Sequence, residues 1–98
     1  MTLLTQDEMA KNLSALSGWT QEEKQIAKQF QFKDFAEALN FVNKAGAEAE
    51  KMNHHPDIFI HSWNKVKITI STHSEGGITK KDFQLAEKND KNPNRNIY

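Results

Sequence analysis

Cysteine is absent from the 98 residues, which excludes a disulfide framework, a thiolate zinc site and a cysteine nucleophile together. Net charge of either sign is also missing: 13 Lys and Arg balance 13 Asp and Glu. Nothing therefore suggests the strong basic field that nucleic-acid or anionic-membrane binding usually needs, and a small-molecule or protein partner is expected. Long apolar runs are lacking too. The longest is Ile58-Phe59-Ile60, far below the roughly 20 residues that span a bilayer, and no signal-like stretch opens the chain. A cytoplasmic, soluble protein without direct nucleic-acid or membrane contact is the expectation. Mean hydropathy is low at -0.78, yet six Phe, two Trp and one Tyr supply the bulky core that disordered chains lack. The length suits one domain, 1–98, because two cores would leave each half too little apolar surface.

Local signals give an order of elements. Thr5-Gln6-Asp7-Glu8 reads as a capping box with a Leu4/Met9 staple, opening a helix over about 6–16 that Gly18 stops. From Trp19 the period changes to two, with Ile26, Phe30 and Phe32 alternating against Ala27, Gln29 and Gln31. This predicts a hairpin turning at 21–24. A box at Asp34–Glu37 opens the longest helix, with a stripe of Phe35, Leu39, Val42, Ala45, Ala49 and Met52, and Pro56 closes that segment. Residues 58–72 form the strongest strand signal. A two-residue turn at Asn64-Lys65 would set Trp63 against Val66, His61 against Ile68 and Phe59 against Ile70 on a buried side. Thr79–Asp82 is a third box, with an Ile78/Phe83 staple and a helix to about Lys88; the Asn-rich segment 89–98 is expected to be a frayed tail. The order α-β-β-α-β-β-α predicts an α+β two-layer domain, a four-stranded antiparallel sheet with three helices on one face.

The histidines stand out against this frame. His54 and His55 lie where the long helix ends, and His73 lies where the fourth strand ends. A hairpin that returns along itself brings those two places together, and a pair of imidazoles can supply an acid and a base near neutrality. Plainer readings stand beside this one. His54-His55 suits a helix C-terminus electrostatically, Glu50 either orients His54 or is an exposed carboxylate, and Asp82 does local capping. His61 reads as structural or surface, and Lys80 and Lys81 as a solvated face. A metal centre is disfavoured. No HxH, HxxxH or HExxH spacing occurs, and adjacent helical side chains diverge by about 100°.

Taken in sequence, Glu50, three residues, His54-His55-Pro56, six residues, Trp63, nine residues, His73, eight residues and Asp82 closely resemble the signature of the pterin-4a-carbinolamine dehydratases. Agreement extends to Trp63–Val66, Ser71–His73 and Gly77–Thr79. The resemblance implies a hydro-lyase of tetrahydrobiopterin recycling, converting 4a-hydroxytetrahydrobiopterin to quinonoid dihydropterin and water without a cofactor or metal. By the same resemblance His54 and His73 do the acid/base work, while His55, Asn53, Ser71 and Thr72 hold the pterin. Glu50, Trp63 and Asp82 support them. It also implies a homodimer or homotetramer and, from some animal members, an alternative function as a non-catalytic dimerisation or interaction module for a transcription regulator. One departure is visible. Six residues separate Pro56 from Trp63 where many members have five, and Trp63 stands where Tyr is common, so a β-bulge is expected there.

Overall fold

The computed structural model describes residues 2–92. Its elements are α1 (Gln6–Ala15), β1 (Thr20–Glu22), β2 (Gln25–Gln31), α2 (Phe35–Met52), β3 (Asp57–His61), β4 (Lys65–Ile70), a 3₁₀ turn (His73–Glu75) and α3 (Lys80–Asp90). The expected α+β order α-β-β-α-β-β-α is the observed one. The strands form one antiparallel sheet in the order β1-β2-β4-β3. The helices cover one face of it, where Ile26, Phe30, Val66, Ile68 and Ile70 meet Ala38, Phe41, Ala45, Ala49, Leu85 and Ala86 in a single buried cluster.

Each helix starts where the sequence provides acceptors for the unpaired N–H groups of its first turn. Thr5 Oγ1 accepts from Glu8 N–H at 3.1 Å while Thr5 N–H donates to Glu8 Oε1 at 2.9 Å, and Asp34 Oδ1 accepts from Glu37 N–H at 2.9 Å. Asn53 ends α2 in the left-handed region (φ 50°), a conformation that Asn tolerates better than most side chains. The N–H groups of Asn53 and His54 then fold back onto the carbonyls of Glu50 and Ala49. This reversal carries His54 off the helix axis and under the sheet edge.

Four expectations are corrected. The buried face of α2 is Ala38, Phe41, Ala45 and Ala49, whereas Phe35 and Leu39 are exposed. Small side chains on that face let the helix approach the sheet closely, and only Phe41 is large. In the second hairpin, Ile58 pairs with Ile68 and Ile60 with Val66, so Phe59 and His61 lie on the outer face. The loop takes three residues, with Ser62 and Trp63 both at positive φ, and the register shifts by an odd number, which exchanges the faces. The β3–β4 pairs run consecutively from Asp57/Thr69 to His61/Lys65, so the ladder contains no bulge. Finally, the part of the 89–98 segment that is described is held in place. Asp90 accepts from Trp19 Nε1–H at 3.0 Å and from Lys28 Nζ at 2.8 Å, and Asn92 Nδ2–H donates to the Phe41 carbonyl at 3.2 Å. Residues 93–98 lie outside the described residues.

Candidate active site

In the β3–β4 hairpin, Asp57 stands opposite Thr69, so the residues just before β3 lie beside those just after β4. His54 and His55 thereby come alongside the segment 71–73. His54 is buried, and its Nε2 lies 2.6 Å from Oδ1 of Asp82, which is wholly buried in the first turn of α3. The other carboxylate oxygen, Oδ2, accepts from the Thr72 hydroxyl at 2.8 Å and from Thr79 N–H at 2.8 Å. The hydroxyls of Thr72 and Thr79 are themselves 2.8 Å apart, and Thr79 Oγ1 receives Lys81 N–H at 3.3 Å. Both oxygens of Asp82 are thus satisfied, which is what a buried carboxylate requires, and the positive end of α3 adds to its stabilisation.

His73 follows Thr72 directly and opens the 3₁₀ turn, with its side chain exposed. The segment that carries it is closed at its base: Thr72 N–H donates to the Gly77 carbonyl at 2.8 Å, and Glu75 N–H to the Thr72 carbonyl at 3.0 Å. His73 is therefore one residue from the Asp82 network, on a short tied loop. His55 is exposed, and its Nε2 lies 2.8 Å from Glu50 Oε2. Of the two readings of Glu50, the exposed carboxylate is the one observed, and the histidine it meets is His55 rather than His54. After the reversal at Asn53 the exposed carboxylate reaches His55, whereas His54 turns inward to Asp82.

Asn53 is exposed and Ser71 half-buried at the same edge, while Thr72 is buried with its hydroxyl bonded inside the network. Trp63 is not brought to this cluster within one chain. It lies in the loop at the opposite end of β3, 60% exposed, up to about 25 Å along the chain from His55–Pro56 at roughly 3.3 Å per residue. Thr79 is the network member that sequence reading leaves as a simple helix cap. Its capping box is the available signal, since the box places Asp82 and Thr79 N–H in contact, but nothing local announces the second oxygen's partner. Among the described residues no three His, Asp or Glu side chains gather in a way that could hold a metal ion, and no helix is long and apolar enough to cross a membrane.

The family model described as pterin 4 alpha carbinolamine dehydratase matches residues 2–92. A Nostoc punctiforme protein provisionally named pterin-4-alpha-carbinolamine dehydratase is 51% identical over 85 residues, covering 87% of this chain and 90% of that protein. A Sulfolobus acidocaldarius protein of the same provisional name is 44% identical over 85 residues, covering 87% and 92%. Among solved structures, the transcriptional coactivator/pterin dehydratase of Brucella melitensis superposes with a TM-score of 0.87 at 40% identity, covering 92% of this chain and 97% of that one. A pterin dehydratase-like protein described as a RuBisCO assembly factor of the alpha-carboxysome shares the fold, with a TM-score of 0.61 at 20% identity.

Proposed function

This chain belongs to the pterin 4 alpha carbinolamine dehydratase family, and from that premise we propose that it is a hydro-lyase acting on 4a-hydroxytetrahydrobiopterin by histidine acid/base chemistry, in pterin recycling. The reaction breaks the C4a–O bond, forms C4a=N5 and releases the N5 proton. It therefore needs a proton delivered to the departing hydroxyl and a base for N5–H, which two imidazoles in opposite protonation states provide. The observation that carries the reading is the buried pairing of His54 with Asp82 one residue from His73. A histidine fixed through one ring nitrogen presents the other to a ligand in a defined direction. His55, Asn53 and Ser71 line the same edge and would hold the pterin ring, and Thr72 contributes through Asp82. Turnover of chemically generated 4a-hydroxytetrahydropterin, followed above the uncatalysed rate and unchanged by exhaustive chelation, is the expected result. No acceleration overturns the reading.

A homo-oligomer completes it. β3 is a sheet edge with open backbone donors and acceptors. Its sequence Asp57-Ile58-Phe59-Ile60-His61 pairs with itself when a second copy runs antiparallel about Phe59: Asp57 then faces His61, and Ile58 faces Ile60. Beyond the strand ends, that register would bring the loop that carries Trp63 of the second copy toward His55, so the distant tryptophan would approach the site. Light scattering should give at least twice 11.3 kDa. Phe59→Lys, at a position exposed in the single chain, should return a folded monomer by opposing two lysines. A monomeric unmodified protein overturns this assembly. A second reading, a non-catalytic interaction module for a transcription regulator, is favoured by Phe35 and Leu39, which leave an apolar strip one helical turn long exposed on α2. Absence of turnover together with assembly would favour it.

A further inference from the structure

The geometry points to Nδ1 as the atom of His54 that exchanges protons with the substrate, with Asp82, Thr72 and the Thr79 N–H as a relay that fixes its tautomer. This rests on the dehydratase reading for the identity of the substrate but not for the tautomer itself. At Oδ2 of Asp82 two donors converge: the Thr72 hydroxyl at 2.8 Å and Thr79 N–H at 2.8 Å. The Thr72 proton is used there, so in the 2.8 Å contact between the two threonines Thr79 O–H is the donor and Thr72 Oγ1 the acceptor. Every hydrogen in the chain is then directed toward the carboxylate. Among the described residues Oδ1 bonds only His54 Nε2, at 2.6 Å. A carboxylate oxygen can only accept, so the ring nitrogen that faces it carries the hydrogen. Neutral His54 is the Nε2–H tautomer. Its Nδ1 makes no hydrogen bond to any described residue and is not sealed from solvent, which leaves a lone pair, or an N–H in the imidazolium, for the pterin.

The relay gives Asp82→Asn an effect that a merely structural carboxylate would not have. The two donors, Thr72 O–H and Thr79 N–H, both require an acceptor, so the amide oxygen of the substituted side chain takes the place of Oδ2. Its NH₂ is then directed at His54 Nε2, which has to become an acceptor, and the proton moves to Nδ1. The substitution is isosteric and preserves the α3 cap through the amide oxygen.

The test is a two-bond ¹H–¹⁵N spectrum of the uniformly ¹⁵N-labelled protein, taken with the imidazoles neutral and with His54 assigned from His54→Gln. The unmodified protein should show pyrrole-like Nε2 and pyridine-like Nδ1, and D82N the reverse, with kcat lowered roughly 10²- to 10⁴-fold, the usual loss for a misplaced acid/base proton. A pyrrole-like Nδ1 in the unmodified protein overturns the proposal without any variant having to fold. An unchanged tautomer in folded D82N overturns the relay. Protein that shows both spectra but no turnover keeps the tautomer and loses the dehydratase reading, whereas turnover with Nδ1–H in the unmodified protein does the opposite.

Discussion

Replacing His54 is expected to lower kcat by roughly 10²- to 10⁴-fold, the usual worth of a positioned acid or base, and replacing His73 should do the same. The choice of substitution decides how cleanly this is read. His54→Ala removes the partner of Asp82 Oδ1, and stranding a buried charge costs about 3–5 kcal/mol, so a lost rate would mix chemistry with unfolding. His54→Gln retains an amide N–H for the carboxylate but has no group that titrates, so it should fold and still be slow. His73 is exposed and His73→Ala should leave stability nearly unchanged, making its rate loss a direct measure. His55→Ala separates binding from chemistry. If His55 only holds the ring, KM rises while kcat is kept, because an interaction equal in the bound substrate and the transition state does not alter the barrier between them. Stopped-flow turnover with circular dichroism on each variant checks all three. A fall in kcat for His55→Ala as severe as for His54→Gln, at constant KM, would reassign the pair.

Phe41→Ala should destabilise the fold by roughly 3–5 kcal/mol, the range for truncating a fully buried aromatic. Phe41 has no exposed surface. Its ring centroid lies 4.6 Å from that of Phe30 and 5.0 Å from that of Phe32, in tilted contacts that join α2 to the end of β2. The neighbouring face of α2 is alanine, which cannot expand into the space a lost ring leaves. Against a total stability of about 5–15 kcal/mol for domains of this kind, a fifth or more would be lost. In urea the midpoint should fall with little change in slope. Phe35→Ala, on the same helix but half exposed, should change stability by less than about 1 kcal/mol. Equal losses for the two would contradict the observed orientation of α2.

That orientation marks where local sequence stops informing. Periodicity locates α2, but two overlapping stripes that share Ala45 and Ala49 and are rotated by roughly 40° both satisfy it, and the larger residues, Phe35 and Leu39, point away from the core. Which stripe faces the sheet depends on how closely the helix must approach, a property of the partner surface. The β3–β4 register is illegible for another reason. A three-residue loop with two left-handed residues is usually announced by Gly or Asn at those positions, and here they are Ser62 and Trp63. Hairpin existence survives such a misreading; the assignment of faces does not. At the site, the signature gives the residues and the hairpin argument correctly brings His54 toward the end of β4. Asp82 is legible as a cap because its partner is three residues away, but its bond to His54 spans 28 positions and has no local trace. Helical spacing offers His54 as a partner for Glu50 only by extending past Asn53, where the chain turns out of the helix.

Asp82 has two employers. One oxygen serves His54, and the other closes the start of α3 and gathers Thr72, a task that would persist with any residue at position 54. A related chain that has given up dehydration would still need an acceptor here to close the first turn of α3, but an asparagine oxygen closes it equally well, so selection on folding alone retains an acceptor and not the acid. An oxygen at position 82 is therefore a record of architecture. The trace of chemistry in such a sequence is the pairing itself, a histidine at position 54 together with the acid, and a lineage drifting toward a purely structural role should lose His54 and His73 first while keeping Asp or Asn at position 82.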